Sequence, residues 1–369
     1  MTQPPTAVTS PQVHPDGSIT LSIYAPDARE VLVDSDFRLG MPFVAPIMAT
    51  EWPKAVRGED GWWSVTTDPM LPGLYRYKFV VDGFKTLDPQ NGWMRKAAIG
   101  QPFSMVEVPG DGPQPWDIDP AIPHGTVVRE MHQSALLGAP RYLNVYLPPD
   151  YDPAATYPVL YLLHGGGNDY GHWVFDGTAD LIMDTLIARG VLPPMVVVMP
   201  DGNVLDRARF PGVLRVTNIP DWREQVEALH PRYLVDEVIP LAESRYRLDG
   251  ANRAIAGLSM GCMQVWRLLC TEPQHFTAAG LFSGTAEMEP LDAGGTADAL
   301  KQYRTIFVGV GDWDAPRLHD SMKAAPDGLR ERGIPATAYS TPGGHTWSVW
   351  QRCLWEFGHD LKARGWARA

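Results

Sequence analysis

The chain has 369 residues, 44% of them hydrophobic and 20% charged, which is the composition of a globular protein with a sizeable core. Its length suggests two domains. The net charge of −12 argues against nucleic acid or an anionic membrane surface as a partner, and no apolar run is long enough to span a membrane.

Residues 1–16 are polar and rich in proline, and we expect them to be extended or disordered. They lack the basic and apolar regions of a signal peptide. The sequence as written is therefore expected to be cytoplasmic, and secretion is the expectation only if a signal has been removed from it.

Residues 17–108 are predicted to form a small all-β domain. Three runs in it alternate polar and apolar side chains with a period of two, as half-buried strands do: 18–24, 62–66 and 75–81. Asp82-Gly83 is the turn signal of a hairpin. Several short strands at this spacing favour a sandwich.

Residues 109–123 are rich in proline and glycine and are predicted to be a connector. From 124 to 369, short apolar runs alternate with helical patterns, which is typical of an α/β domain with a buried parallel sheet. The predicted strands are 159–163, 195–199, 254–256, 279–282 and 306–310. The predicted helices are 178–188, 232–246, 260–270, 317–332 and 347–363.

The most informative motif is Gly257-Leu-Ser-Met-Gly261. A strand is predicted to end just before it and a helix to begin just after it, which is the context of a G-x-S-x-G nucleophile elbow. On so sharp a turn, side chains at the glycine positions would clash with the neighbouring strand and helix. The motif alone is weak, so the prediction of Ser259 as a nucleophile depends on finding its partners.

A serine nucleophile needs a base, and in this fold the base follows it late in the chain. His345 lies in a glycine-rich stretch before the last predicted helix, and we predict that it is the base. A histidine on a surface loop would give the same pattern. His319 and His359 fall in predicted helices and fit this role less well.

The carboxylate that orients the histidine should follow a strand between the nucleophile and the base. Asp312 and Asp314 both follow the predicted strand 306–310 and are both candidates. Asp314 is preferred because it lies further into the loop, which suits a side chain turning towards His345. Its alternative role is to cap the next helix.

Two backbone N–H groups are needed to hold an oxyanion. One is predicted to belong to Met260, which follows the nucleophile at the N-terminus of a helix, where the dipole favours negative charge. The other is predicted to belong to Gly166, in the loop His164-Gly-Gly-Gly167 after a buried strand. We expect His164 and Gly165 of this loop to contact the substrate, although a glycine triplet is also found in plain turns.

The three cysteines are too few for a disulfide framework. Cys262 and Cys270 would lie eight residues apart on one helix, too far to bridge, although either is a candidate partner for Cys353. We expect partly buried thiols. No spacing indicates a zinc site, and neither a metal nor a cofactor is expected.

The segment 124–363 resembles the esterase D and feruloyl esterase superfamily, in particular carbohydrate esterase family one. The motifs that carry the likeness are His124-Gly-Thr-Val, Tyr157-Pro-Val-Leu-Tyr-Leu-Leu-His-Gly165, Pro194-Met-Val-Val-Val-Met-Pro200, Arg253-Ala-Ile-Ala-Gly-Leu-Ser-Met-Gly261, Phe282-Ser-Gly284 and Gly343-Gly-His-Thr-Trp347. The resemblance implies an α/β-hydrolase fold and the same roles for Ser259, Asp314 and His345. One position departs from it: where the family usually has a second glycine after the elbow, this chain has Cys262.

Residues 17–108 resemble the immunoglobulin-like early-set module of glycogen-branching enzymes and related carbohydrate-binding modules. Tyr24-Ala-Pro-Asp-Ala28, Gly61-Trp-Trp63, the run from Pro72 to Gly83, and Leu87-Asp-Pro89 carry this likeness. The fold class implied for the whole chain is therefore α/β, an α/β-hydrolase domain preceded by a small all-β immunoglobulin-like sandwich. This tandem is known among bacterial esterases that act on plant cell-wall esters.

The tandem arrangement makes a feruloyl or acetyl ester of a plant cell-wall polysaccharide or oligosaccharide the leading expectation for the substrate. The alternative is a small-molecule esterase of the enterochelin or S-formylglutathione hydrolase type. A third hypothesis is a glycan-binding protein with a vestigial esterase domain, although the complete set of catalytic residues argues against it. The sequence does not indicate an oligomeric state.

Tryptophans near the motifs are candidates for lining a substrate cleft. Trp313 and Trp347 neighbour the predicted catalytic loops and rank first, ahead of Trp173, Trp222 and Trp350. In the N-terminal module, the residues that could stack on sugars are Trp52, Trp62, Trp63 and Trp93, and the alternating pattern predicts that at least one of Trp62 and Trp63 is in the core.

Overall fold

The computed structural model describes residues 8–36, 52–95, 102–205, 221–292 and 294–366. The chain divides into two compact units. The first comprises Met1–Gln114, Gly311–Pro316 and Pro342–Val349, and the second comprises Pro115–Val310, Arg317–Thr341 and Trp350–Ala369. Within the described ranges, no helix combines the length and the apolar character needed to cross a lipid bilayer.

The N-terminal part of the first unit is built from two antiparallel sheets. Its strands are β1 (Gln12–Val13), β2 (Ile19–Tyr24), β3 (Val31–Ser35), β4 (Val56–Arg57), β5 (Trp62–Thr66), β6 (Gly73–Val81), β7 (Phe84–Thr86), β8 (Met94–Arg95) and β9 (Phe103–Val108). One sheet has the order β1-β2-β5-β4, and the other has the order β3-β6-β9-β8 with β7 paired to β6. We call this pair of sheets the β-module.

The core of the β-module lies between side chains that alternate along its strands. Ile19 and Leu21 of β2 and Tyr75, Tyr77 and Phe79 of β6 are fully buried in one apolar cluster. The strands predicted from the alternation are confirmed. The hairpin is confirmed as well, because Asp82 and Gly83 both have positive φ angles, of 46° and 88°, as a tight two-residue turn requires.

From residue 126 onward, strands and helices alternate around one large sheet. The strands are β10 (Thr126–Ser134), β11 (Ala139–Leu147), β12 (Tyr157–Leu163), β13 (Val196–Pro200), β14 (Leu248–Leu258), β15 (Ala278–Phe282), β16 (Ile306–Gly311) and β17 (Ala336–Thr341). The helices are α1 (His172–Phe175), α2 (Ala179–Ala188), α3 (Trp222–Arg232), α4 (Ile239–Arg245), α5 (Met260–Thr271), α6 (Thr296–Leu300), α7 (Pro316–Glu331) and α8 (Trp347–Ala363), with a π-helix at Tyr233–Val238 and short 3₁₀ turns at Pro273–His275 and Glu289–Asp292.

The eight-stranded sheet has the order β10-β11-β13-β12-β14-β15-β16-β17. Strands β10 and β11 are antiparallel to their neighbours, whereas β13, β12, β14, β15 and β16 run parallel. Their short runs of valine, leucine and alanine are buried, as expected for strands covered on both faces. This sheet, with its helices and the β-module before it, is the predicted α/β-hydrolase fold with an all-β module.

The predicted helix over 232–246 differs from the structure in its start. Helix α3 already begins at Trp222 and runs into the π-helix and then α4. The polar first half of this segment and Pro231 within it hide the helical period in the sequence, and Asp221 before it has a positive φ of 53°.

Candidate active site

Ser259 occupies a strained turn between β14 and α5. Its backbone has φ 51° and ψ −113°, a region that residues with a side chain rarely adopt. The strain is held in place because the Ser259 N–H donates to the Phe282 carbonyl oxygen at 2.8 Å. A backbone strained at one serine between a buried strand and a helix is the geometry of a nucleophile elbow.

The two glycines of the elbow are required by crowding of the backbone. A Cβ on Gly257 would lie 2.6 Å from the carbonyl carbon and oxygen of Gly261. A Cβ on Gly261 would lie 2.6 Å from the carbonyl oxygens of both Leu163 and His164. No backbone atom can give way at such distances without moving the strand, so these positions accept glycine alone.

The glycine loop after β12 lies directly beside Ser259. A Cβ on Gly165 would be 3.4 Å from the Cβ of Ser259, and one on Gly166 would be 3.9 Å from the Cβ of Met260. Gly166 is exposed, and Met260 begins helix α5. The structure therefore brings together the two residues whose N–H groups were predicted to hold an oxyanion.

The His164 side chain fixes the position of this glycine loop through two hydrogen bonds. Its side chain is buried, its Nδ1 lies 2.8 Å from the Gly165 carbonyl oxygen, and its Nε2 lies 2.9 Å from the Gly202 nitrogen. Because the Gly202 N–H donates to Nε2, the proton of a neutral ring is on Nδ1 and is donated to Gly165. These contacts give His164 a role in positioning the loop, and its predicted contact with substrate stays a prediction.

A loop that the sequence analysis did not single out supports His164. Residues Asp201, Gly202 and Asn203 follow the end of β13. The Arg141 guanidinium donates to the carbonyl oxygens of Asp201 and Asn203, at 3.0 and 2.6 Å, and the Gln264 amide donates to that of Gly202 at 3.0 Å. A polar turn directly after a buried strand was the available signal.

The Asp201 carboxylate stays charged in this polar cluster. Burial raises its pKa, but the charge of Arg141, 3.3 Å away, and the hydrogen bond from the Asn203 N–H outweigh burial and lower the pKa to about 2. The cluster beneath the glycine loop therefore contains a fixed ion pair, Arg141–Asp201.

Asp314 and His345 form a buried pair in the first unit. The His345 Nδ1 lies 3.0 Å from Oδ1 and 3.3 Å from Oδ2 of Asp314, and both side chains are almost fully buried. The Asp314 Oδ1 also accepts the Ala315 N–H at 2.7 Å, which fixes the carboxylate. Asp312, the other candidate, is exposed.

The two loops that carry this pair pack backbone against backbone. The Trp313 N–H donates to the Gly343 carbonyl oxygen at 3.0 Å. A Cβ on Gly311 would lie 2.3 Å from that oxygen, so only glycine permits the approach. Gly343 has a φ of 130°, which again favours glycine. The glycines seen in the sequence around Asp312 and His345 serve this contact.

The predicted cleft tryptophans differ in exposure. Trp173 is buried, with its indole N–H donating to the Leu163 carbonyl oxygen at 3.0 Å, and Trp347 and Trp350 are buried as well. Trp313 is 40% exposed. The Trp222 side chain lies outside the described part of the molecule. In the β-module, Trp62 and Trp63 are both buried, whereas Trp93 is exposed and Trp52 half-buried.

The Cys262 thiol fills the space that Gly284 leaves open because it has no side chain. Cys262 is fully buried, and a Cβ on Gly284 would lie 2.5 Å from its Sγ. This contact explains how the elbow helix accommodates a thiol where the related family has glycine. Cys262, Cys270 and Cys353, all in described ranges, are thiols and not disulfides, as predicted.

Among the described residues, no three histidine, cysteine, aspartate or glutamate side chains are grouped as the ligands of a metal would be.

Comparison with protein families gives a match over residues 134–359 to the family Esterase, described as "Putative esterase". An endo-1,4-beta-xylanase/feruloyl esterase of Xylanibacter ruminicola is 31% identical over 95% of this chain and 46% of its own length. The chain spans about half the length of the curated relatives it matches.

Solved structures share the fold. The enterobactin esterase of Shigella flexneri aligns with a TM-score of 0.64 at 18% identity, over 93% of this chain and 93% of that one. A ferulic acid esterase of Anaeromyces mucronatus, in complex with ferulic acid, aligns with a TM-score of 0.57 at 19% identity, over 68% of this chain and 97% of that one.

Proposed function

This chain belongs to the esterase family, and we propose that it is a serine hydrolase of carboxylic esters that works through an acyl-enzyme. The observation that carries the proposal is the backbone of Ser259, strained at φ 51° between two glycines that crowding makes obligatory. Strain of this kind persists where it serves a function, and here it presents a hydroxyl beside a loop of backbone N–H groups.

The proposed base is His345, oriented by Asp314. The Nδ1 of His345 faces the carboxylate at 3.0 Å and donates its proton there, so Nε2 is the nitrogen with a lone pair for accepting a proton. In the proposed reaction Nε2 takes the Ser259 proton as Oγ attacks the ester carbonyl carbon. It then returns the proton to the departing alcohol, and activates the water that releases the acid.

The proposed oxyanion hole consists of the Gly166 and Met260 N–H groups. Support comes from the packing of the glycine loop against the elbow, where Gly166 approaches Met260. The N-terminus of α5 adds its dipole to the charge stabilisation. One such donor typically contributes about 3 kcal/mol to transition-state stabilisation.

Strand order supports the assignment of serine and acid. Strands β14, β15 and β16 are parallel neighbours, so their carboxyl ends lie at the same edge of the sheet. Ser259 directly follows β14, and Asp314 follows β16 within three residues. In open sheets of this type, functional loops collect at that edge.

We propose a feruloyl or acetyl ester of a plant cell-wall polysaccharide, or of an oligosaccharide derived from it, as the substrate. The support is the xylanase/feruloyl esterase of Xylanibacter ruminicola, which is similar across the β-module as well as the catalytic domain, over 95% of this chain. The exposed Trp313, beside the Asp314 loop, is the proposed contact for a flat aromatic or sugar ring.

The second candidate is a small-molecule esterase of the enterobactin esterase type. The observation favouring it is the extent of the structural likeness, since the Shigella flexneri enterobactin esterase matches 93% of the chain, β-module included. Its 18% identity makes this likeness one of fold, which is why the plant ester ranks first.

The test has two arms. Ser259→Ala is expected to abolish cleavage of p-nitrophenyl acetate, and unchanged turnover would refute the mechanism together with the esterase function. The wild-type protein is then assayed on methyl ferulate, acetylated xylan and enterobactin. Hydrolysis of enterobactin alone would overturn the plant-ester proposal and leave the mechanism standing.

A further inference from the structure

The β-module touches the segment that carries His345. At the start of β6, Gly73 packs against Ser348 in the first turn of α8 so closely that a Cβ on Gly73 would lie 2.7 Å from the Ser348 Cβ and 3.3 Å from its Oγ. Both residues belong to the first compact unit. The φ of Gly73 is 154°, so the residue also adopts a backbone that favours glycine.

Ser348 is part of a short, rigid segment. It follows His345 by three residues, and residues 343–349 are all buried. The hydroxyl groups of Thr346 and Ser348 hydrogen-bond at 3.0 Å, and the Val349 N–H donates to the Thr346 carbonyl oxygen at 3.1 Å. A displacement of Ser348 is therefore transmitted to His345, because no flexible residue separates them.

The segment also contacts the loop of Asp314. The loop of Asp314 reaches it through the His345–Asp314 bond and through the Trp313 N–H on the Gly343 carbonyl oxygen. These contacts tie the two loops to each other. The contact with Gly73 is different because it connects the pair to the two-sheet core of the β-module, in which Tyr75 is fully buried.

We propose that the β-module is a positioning element for the proposed catalytic base, and that Gly73 is the residue through which it acts. This role rests on the proposed function of His345. It assigns to the module a task in the esterase reaction itself, where binding to glycan is the alternative task. The reason for a glycine is mechanical, since the Gly73 side of the contact is backbone and has no side chain that could change rotamer and let the segment move.

The test compares two glycines of the module. Gly73→Ala introduces the Cβ that collides with Ser348, whereas Gly83→Ala, at φ 88° with no heavy atom within 4 Å of its added Cβ, introduces backbone strain alone. We expect kcat on p-nitrophenyl acetate to fall about 10- to 100-fold in Gly73→Ala with KM within about twofold, because small misplacements of a base are costly. Gly83→Ala is expected to keep kcat within about twofold of wild type.

Two further measurements separate positioning from loss of folding. The downfield proton resonance of the His345 Nδ1–H, bonded to Asp314, is expected to broaden or vanish in Gly73→Ala and to persist in Gly83→Ala. The double variant Gly73→Ala with Ser348→Gly removes the colliding Cβ, so kcat is expected to recover at least about fivefold over Gly73→Ala.

Equal kcat in the Gly73→Ala and Gly83→Ala variants would overturn the inference, and so would a double variant no better than Gly73→Ala. Either outcome leaves the proposed function intact, because that function is tested separately by Ser259→Ala. An active Ser259→Ala variant would refute both the proposed function and the positioning role of the β-module.

Discussion

The elbow around Ser259 and the loops that carry Asp314 and His345 are held in place by different means. At the elbow, backbone crowds backbone: Gly261 sits so close to two carbonyl oxygens that a methyl group has no room. At the acid–histidine pair, the position depends on hydrogen bonds, on two loops far apart in sequence and on a contact with the β-module. Crowding sets the first geometry, whereas the second combines crowding of Gly311 against Gly343 with hydrogen bonds to the Asp314 carboxylate.

Because the two regions are held in place differently, they should tolerate different amino-acid substitutions. Steric crowding is all or none, because a Cβ at 2.6 Å from an oxygen cannot be accommodated by a small shift. A hydrogen-bonded pair loses function by degrees, as each partner is removed. Substitutions in the two regions should therefore give different mixtures of lost stability and lost turnover.

The largest effect is expected at the elbow. In Gly261→Ala the new Cβ meets the carbonyl oxygens of Leu163 and His164, so β12 and α5 must separate. We expect turnover of p-nitrophenyl acetate to fall by more than about 1,000-fold and the melting temperature to fall clearly, by several degrees or more. Activity and thermal unfolding are measured on the same preparation.

Gly167→Ala is the matched control for the elbow. Gly167 lies in the neighbouring loop with φ 82°, but nothing lies within 4 Å of an added Cβ. The expected cost is backbone strain of about 1 kcal/mol. If both variants lost stability equally, crowding would not be what makes the elbow glycine obligatory.

Substitution within the acid–histidine pair should reduce turnover strongly and reduce the stability of the fold little. Asp314→Asn keeps the shape of the side chain but removes the charge that accepts the His345 proton. We expect kcat to fall roughly 1,000-fold, because an amide cannot hold the histidine in its productive tautomer, with the melting temperature nearly unchanged. Asp312→Asn, two residues away and exposed, is the control and should stay within about twofold. The reverse ranking would reassign the acid.

The smallest effect is expected at Asp201, in the turn that supports His164. It is a change in the stability of the fold, and it depends on pH. The pKa of Asp201 is lowered from 3.8 to about 2 in the folded protein, so the folded state keeps the carboxylate charged where the unfolded chain takes up a proton. Its contribution of about 2 kcal/mol is present above about pH 4 and is lost as the pH falls towards 2.

Urea unfolding of wild type and Asp201→Asn tests this sign. The wild type is expected to be more stable near pH 6, and the gap between the two midpoints should narrow as the pH falls to 3. A gap that did not depend on pH would show that Asp201 acts through packing or hydrogen-bond geometry instead of its charge.

The elbow was predictable because its information is local. Gly257, Ser259 and Gly261 are neighbours in sequence, and the strand and helix on either side have clear apolar patterns. The choice between Asp312 and Asp314 was not fixed by sequence, because it depends on which side chain turns towards a loop some 30 residues later. In the structure Asp314 is buried and its carboxylate contacts the His345 Nδ1, whereas Asp312 is exposed.

Other parts of the site were hidden for the same reason. The part that His164 plays in fixing the glycine loop is recognisable only once Gly202 is placed beside its buried ring. The Asp201 turn joins residues from β11, β13 and α5, which no local pattern connects. Strand β10 escaped prediction because much of it is exposed, and β11 because polar residues interrupt its apolar run.

The contact between Gly73 and Ser348 has a consequence for the order in which the protein is made. Gly73 leaves the ribosome about 270 residues before His345 does, which at the usual rate of synthesis is a wait of about 15 to 55 seconds. During that time the β-module can fold on its own core while the surface around Gly73 has no partner. Closing the contact is then a late, long-range step, and chaperones or other nascent chains have that interval in which to reach this surface.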